Sequence, residues 1–207
     1  MRIHQIGSVL LGLGLLTAGC TATSAQTDLA VSGYEAFNSS TTGNGTIQKA
    51  SNGIGGMVEV RHIQTPWIGY EMSYSVNPAD QSVSPQVGSC GYRCQNPPEK
   101  LTVYAHEVAL NWVVTHPIGS LRPFLLGGLG FYIAAPSNYA NDYDANTVVK
   151  PAYVFGGGLD WAVSSRIGLR LQMRGNLYKA PNVEQIYSPT GAFAKTFQPM
   201  GGVYFHL

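Results

Sequence analysis

Charge is scarce in this sequence. Asp, Glu, Lys and Arg make up 11% of its 207 residues, against roughly a quarter in an ordinary soluble domain. The net charge is +1, which excludes a basic field for nucleic acid and an acidic tail. Long apolar runs are also missing. Past the N-terminus no stretch approaches the roughly 18 apolar residues that a spanning helix needs, so a helical membrane protein is excluded. Cysteine is limited to Cys20, Cys90 and Cys94. A zinc site takes four ligands, and no second Cys or His pair lies near Cys90 and Cys94. The five histidines are scattered and one lies in the leader. No metal or other cofactor is expected.

Glycine, by contrast, is abundant, with 25 residues against a usual level of roughly 7%. The N-terminus is equally distinctive. Arg2 and His4 precede an apolar segment from Ile6 to Ala18, and Thr23-Ser24-Ala25 offers small side chains ahead of Gln26. This pattern predicts a signal peptide over residues 1–25 and an exported domain over 26–207. Leu15-Leu16-Thr17-Ala18-Gly19-Cys20 permits a second reading, a lipoprotein box acylated at Cys20. Loss of Cys20 with the leader leaves an even pair in an oxidising compartment. Cys90 and Cys94 are therefore expected to form a disulfide that stiffens a loop.

The exported part alternates with period two. Ile167, Leu169, Leu171, Met173 and Leu177 are apolar, while Arg170, Gln172, Arg174 and Asn176 between them are polar. Such alternation marks a strand with two unlike faces. Segments 67–76, 101–114, 121–134 and 152–163 repeat it, and 28–38, 54–63 and 196–207 do so less cleanly. Eight strands of about 10 residues suit a tilted bilayer crossing. Short turns at 64–66, 115–120 and 164–165 alternate with long loops at 39–53, 77–100, 136–149 and 179–195. The loop from Asn77 to Lys100 carries four prolines, which predicts no regular ladder there.

Alternation alone does not say which face is outside, because a soluble lipocalin-like barrel has the same period. Lysine distribution and aromatic height do. Lys49, Lys100, Lys150, Lys179 and Lys195 all fall in loops or at strand ends. The strand charges Glu59, Arg61, Glu71, Glu107, Arg122, Asp160, Arg170 and Arg174 suit one internal network, since Arg pairs closely in a confined space. Trp67, Trp112 and Trp161 lie beside short turns, although Trp67 has inward parity. Tyr74, Tyr104, Phe131 and Tyr153 lie beside long loops. Two aromatic belts bounding an apolar band are what membrane interfaces select. The expected fold is all-β: an eight-stranded antiparallel up-and-down transmembrane β-barrel.

Three motifs carry a family resemblance. Arg122-Pro123-Phe124-Leu125-Leu126-Gly127-Gly128-Leu129-Gly130-Phe131 is one strand; Phe155-Gly156-Gly157-Gly158-Leu159-Asp160 with Gly168-Leu169-Arg170-Leu171 is the next hairpin. Gly202-Val203-Tyr204-Phe205-His206-Leu207 closes the chain. They resemble the small outer-membrane β-barrel family that includes the transmembrane domain of OmpA-type proteins and its OmpX- and Opa-like relatives. The resemblance spans residues 27–207. It implies a bacterial outer-membrane location and an insertion signal at Val203, Phe205 and Leu207, read by the barrel-assembly machinery. That signal usually ends in Phe or Trp; here it ends in Leu207.

The function expected is non-enzymatic: a monomeric barrel in outer-membrane lipid and lipopolysaccharide, presenting four extracellular loops for surface interaction, adhesion or envelope integrity. Its extracellular ligand is not readable from the sequence, and no nucleic acid is expected as a partner. A narrow channel for ions or small molecules is the alternative, disfavoured because side chains fill an eight-stranded interior. A lipid-modifying enzyme is weaker still, since His106 has Val108 where a His-x-Ser pair needs serine. Asp142-Tyr143-Asp144 could hold a cation, though loop carboxylates are more often solvated.

Overall fold

The computed structural model describes residues 25–85, 99–137, 146–183 and 188–207. The leader before Ala25, Cys90 and Cys94, and Asp142 to Asp144 lie outside the described residues. Among the described residues there are ten strands: β1 (Gln26–Asn38), β2 (Thr41–Gly43), β3 (Thr46–Ala50), β4 (Gly53–Ile63), β5 (Ile68–Pro85), β6 (Glu99–Thr115), β7 (Leu121–Pro136), β8 (Val148–Ala162), β9 (Ile167–Lys179) and β10 (Phe193–His206). Eight of them form the wall. β1 pairs with β4, each later wall strand pairs antiparallel with the next, and β10 returns to β1. The sheet therefore closes on itself, and an up-and-down barrel results.

Three findings depart from the sequence expectations. The segment 39–53 is not a plain loop. β2 and β3 form a hairpin, and β3 continues the ladder on the upper part of β5. Its turn is Asn44-Gly45, with φ of 49° and 75°, the left-handed pair that a two-residue hairpin requires. The proline-rich loop is also shorter than expected, because β5 runs to Pro85 and pairs with β6 through Val83 and Glu99. Pro78 is accommodated where β4–β5 pairing has ended at Val76 and β3–β5 pairing begins at Gln81. A residue lacking N–H is tolerated in such a gap. Trp67 stands in the turn before β5 and stacks on His116 at 4.7 Å, so it belongs to neither face of a strand.

Glycines set the curvature of the wall. A methyl at Gly156 would lie 2.5 Å from the Met173 carbonyl oxygen, and one at Gly128 would collide with the Leu110 carbonyl. Both positions face inward, where tight closure brings neighbouring backbones under each residue. A Cβ at the outward Gly127 meets only one atom, at 3.9 Å. Gly156→Ala is expected to cost about 1–3 kcal/mol by overpacking, and Gly127→Ala to stay within about 0.5 kcal/mol. Urea unfolding of the barrel in lipid vesicles measures both; equal effects would mean that the inner wall has slack.

Candidate functional site: the filled lumen and the lipid-facing wall

Cross-strand register brings opposite charges together inside the barrel. Arg61 is the direct partner of Glu71 across β4–β5, and Asp160 is flanked by Arg122 and Arg170 across β7–β8–β9. All of these point inward because they share the parity of the buried positions. Arg61 donates through Nε to Glu71 Oε2 at 2.9 Å and through Nη1 to Asp160 Oδ2 at 3.0 Å. It thereby spans the lumen from β4 to β8. Arg170 grips Asp160 with two bonds, Nε to Oδ1 at 2.8 Å and Nη2 to Oδ2 at 3.0 Å, and reaches Glu59 Oε2 at 3.3 Å. The Arg61 guanidinium also lies 3.9 Å over the Phe124 ring, a placement that favours a cation.

A second group lies nearer the loop end. Arg174 donates to Glu107 Oε1 at 2.7 Å and to Ser73 Oγ at 2.9 Å, and Asn176 donates to the other Glu107 oxygen at 2.5 Å. Arg174 Nη1 stands 3.9 Å from Glu71 Oε1, which links the two groups. Thus Glu59, Arg61, Glu71, Glu107, Asp160, Arg170 and Arg174 share one buried assembly. Arg122 does not join it. It turns to the opposite end, 3.7 Å from Asp28 Oδ2 and 3.2 Å from Gln26 Oε1, where Asp28 also meets His206 at 2.6 Å.

Apolar side chains fill the space beside this assembly and close the lumen toward the loops. Ile63, Val113, Phe124 and Leu126 pack together on one side of it, with Ala109 and Val154. At the loop side Tyr132 and Tyr178 stack 4.0 Å apart with planes 9° from parallel, among Val103, Ala105, Ala134 and Ala152. Above them the β2–β3 hairpin meets the segment after β9: Gln48 donates to the Pro181 carbonyl and Asn44 to the Pro189 carbonyl, both at 2.7 Å. The cavity beneath this contact, about 20 Å³ in volume, is lined by Gln48, Gln81, Tyr132 and Tyr178 among others. That is room for water and little else.

The outer wall is the reverse of the lumen. Val31, Met72, Leu110, Leu125, Leu129 and Leu171 are exposed in a continuous band. Trp112 and Trp161 are exposed toward the short turns, and Tyr74, Tyr104, Phe131 and Tyr153 toward the loops. Val203, Phe205 and Leu207 lie along the outer face of β10, where Val203 and Phe205 pair with Val31 and Leu29 of β1; Phe205 and Leu207 are exposed and Val203 is half-buried. His106 faces outward as well, its Nδ1 2.9 Å from the Tyr74 hydroxyl. Among the described residues no three His, Cys, Asp or Glu side chains are grouped as a metal would need.

Apolar outside and ionic inside is the arrangement of a barrel solvated by lipid, and a water-soluble barrel would have the two exchanged. The molecule is a membrane-spanning barrel of the bacterial outer-membrane type. Solved structures share its fold. Neisserial surface protein A is 13% identical, with a TM-score of 0.60 over 88% of this chain and 99% of that one. The outer membrane protein OprG from Pseudomonas aeruginosa is 9% identical, with a TM-score of 0.59 over 88% and 96%. Ail, the attachment invasion locus protein of Yersinia pestis, solved with the heparin analogue sucrose octasulfate, is 11% identical, with a TM-score of 0.54 over 89% and 100%. No protein-family model matches the sequence, and no curated protein is similar to it in sequence. At such identities the likeness carries the fold alone. That fold and the apolar wall together place the barrel in the outer membrane.

Parity makes the charged lumen residues recognisable, with Ser73 and Asn176 on the same faces, but Asp28 and His206 are not singled out by it. Asp28 could have been: Asp28, Ala30, Ser32 and Tyr34 alternate with Leu29, Val31 and Gly33. The aromatic and glycine positions toward the far end of β1 obscured that pattern.

Proposed function

We propose that this protein is a non-enzymatic surface barrel that acts as a monomer and presents its loop end for adhesion or surface interaction. One observation supports this reading above the others. The lumen is occupied across its width by Arg61, Arg170 and Arg174 with their carboxylates, is filled beside them by Phe124 and its apolar neighbours, and is capped toward the loops by the stacked Tyr132 and Tyr178. The loop end, by contrast, is elaborated beyond what a crossing requires. β5 has 18 residues and β6 has 17, whereas about 9–11 suffice to span. The excess raises the β2–β3 hairpin and the upper β5–β6 ladder above the wall. On this reading the partners are the surrounding lipid and lipopolysaccharide, the assembly machinery at Val203, Phe205 and Leu207, and an extracellular ligand.

Ail is solved with a heparin analogue, and Lys49, Lys179 and Lys195 are exposed at the loop end here. Heparin is therefore a suitable first probe. Cells displaying the barrel should attach to heparin-coated plates more than cells with empty vector. Removal of residues 41–50 should abolish the gain while the barrel still migrates anomalously on unheated gels. In planar bilayers the purified protein should give no conductance steps. Reproducible steps without attachment would replace this reading with the narrow channel.

A further inference from the structure

The charges of the buried lumen assembly do not balance. Four carboxylates, Glu59, Glu71, Glu107 and Asp160, face three guanidiniums, Arg61, Arg170 and Arg174, and all seven side chains are buried. Asp28 and Arg122 form their own pair at the short-turn end, 3.7 Å apart, and lend the assembly no charge. With each group in its ordinary ionised form one negative charge is left over, and a buried charge without a partner is costly.

Hydrogen bonding locates the surplus. Glu71, Glu107 and Asp160 have donors on both carboxylate oxygens. Glu59 Oε2 accepts from Arg170 at 3.3 Å and from Ser32 at 3.5 Å, but its Oε1 has no partner among the described residues. Across the lumen Gln172 stands between Arg170 and Arg174 on β9. Arg170 reaches Glu59 itself. Arg174 reaches Ser73, which pairs with Glu59 across β4–β5, and Met57, one inward position along β4. The side chain between these two arginines is aimed at the same part of the wall. Gln172 is 5% exposed, yet neither end of its amide has a partner, and Arg174 Nε is also unused. Small residues flank the place: Ala30 opposite Glu59, and the Ser32–Gly202 pair next along β1.

We propose that a hydrated monovalent cation of sodium size is bound between Glu59 and Gln172. Glu59 Oε1 and Gln172 Oε1 are its protein ligands, oxygens of the kind that a hard cation takes. Its waters accept from Gln172 Nε2 and Arg174 Nε. The ion cancels the surplus charge and gives each of these four atoms a partner. A proton on Glu59 would also cancel the charge, but it would leave both N–H donors unanswered. One positive charge needs one carboxylate, so no cluster of acidic side chains is required. The site is independent of what the loops bind.

The test uses the whole exported barrel, refolded into phosphatidylcholine vesicles from sodium-free urea at constant pH and ionic strength. A ligand that binds only the folded state raises stability with its concentration. The urea midpoint should therefore rise as sodium chloride replaces choline chloride, and the rise should saturate. Glu59→Gln removes the surplus charge at constant shape, so its midpoint should be the same in both salts. Gln172→Leu should need about tenfold more sodium for half the effect. Both variants should remain heat-modifiable, and the salt comparison on the wild type decides even where a variant fails to fold. Equal wild-type midpoints in sodium and choline, a sodium effect that survives Glu59→Gln, or a wild-type midpoint that follows pH and ignores sodium would each overturn the proposal.

Discussion

Arg170→Leu is expected to destabilise the barrel by about 3–5 kcal/mol, the cost of leaving buried carboxylates without their cation. Arg170 is fully buried, and three of its nitrogens are engaged by Asp160 and Glu59. Without it Asp160 keeps only Arg61, and Glu59 keeps only Ser32, whose hydroxyl donates at 3.5 Å. Arg170→Lys should recover little, since a single ammonium cannot reproduce the two-pronged contact with Asp160. The double variant Arg170→Leu with Glu59→Leu should recover a substantial part, because it removes the carboxylate left with Ser32 alone while Asp160 keeps Arg61. Urea unfolding in vesicles, followed by tryptophan fluorescence, reads all three. A loss below about 1 kcal/mol for Arg170→Leu would mean that water already solvates these carboxylates, and the filled-lumen argument against a channel would fall with it.

How far such a lumen is legible in sequence depends on which strands must be compared. Parity within one strand assigns Arg170, Arg174 and Glu71 inward, and it needs only neighbours along the chain. Adjacent pairings such as Arg61–Glu71 need the register of one hairpin, which the short turn at 64–67 nearly determines. Arg61–Asp160 and Arg174–Glu107 join strands that are not neighbours. They depend on the stagger accumulated around the whole barrel, and no local pattern encodes that. The β2–β3 hairpin is the opposite case. Asn44-Gly45 is a strong local turn signal, but the strands it joins have only three and five residues, too few to show alternation. The full length of β5 is hidden in the sequence for a related reason. Above the bilayer the outward face of β5 no longer has to be apolar, so alternation fades at Pro78, Asp80 and Ser82 although the backbone ladder continues.

Leu171→Arg, one residue along from Arg170, probes the other side of the same strand. Leu171 is 65% exposed, lies between the outward Leu169 and Met173, and pairs laterally with Gly201 and Leu159. Arginine at such a mid-wall position is expected to cost about 2–4 kcal/mol, because hydrocarbon offers the guanidinium no partner. Ile167 faces outward on the same strand at its short-turn end, and there Ile167→Arg should cost only about 0–1 kcal/mol, since the side chain reaches the interface. The gradient between the two is the informative quantity. A general intolerance of β9 to arginine would penalise both alike, and a water-facing wall would penalise neither. Folding yield into vesicles and urea midpoints should therefore fall steeply for residue 171 and hardly at all for residue 167. If the two variants agreed within about 0.5 kcal/mol, the exposed apolar band would not be a hydrocarbon-facing surface, and the location of the barrel would have to be sought in water.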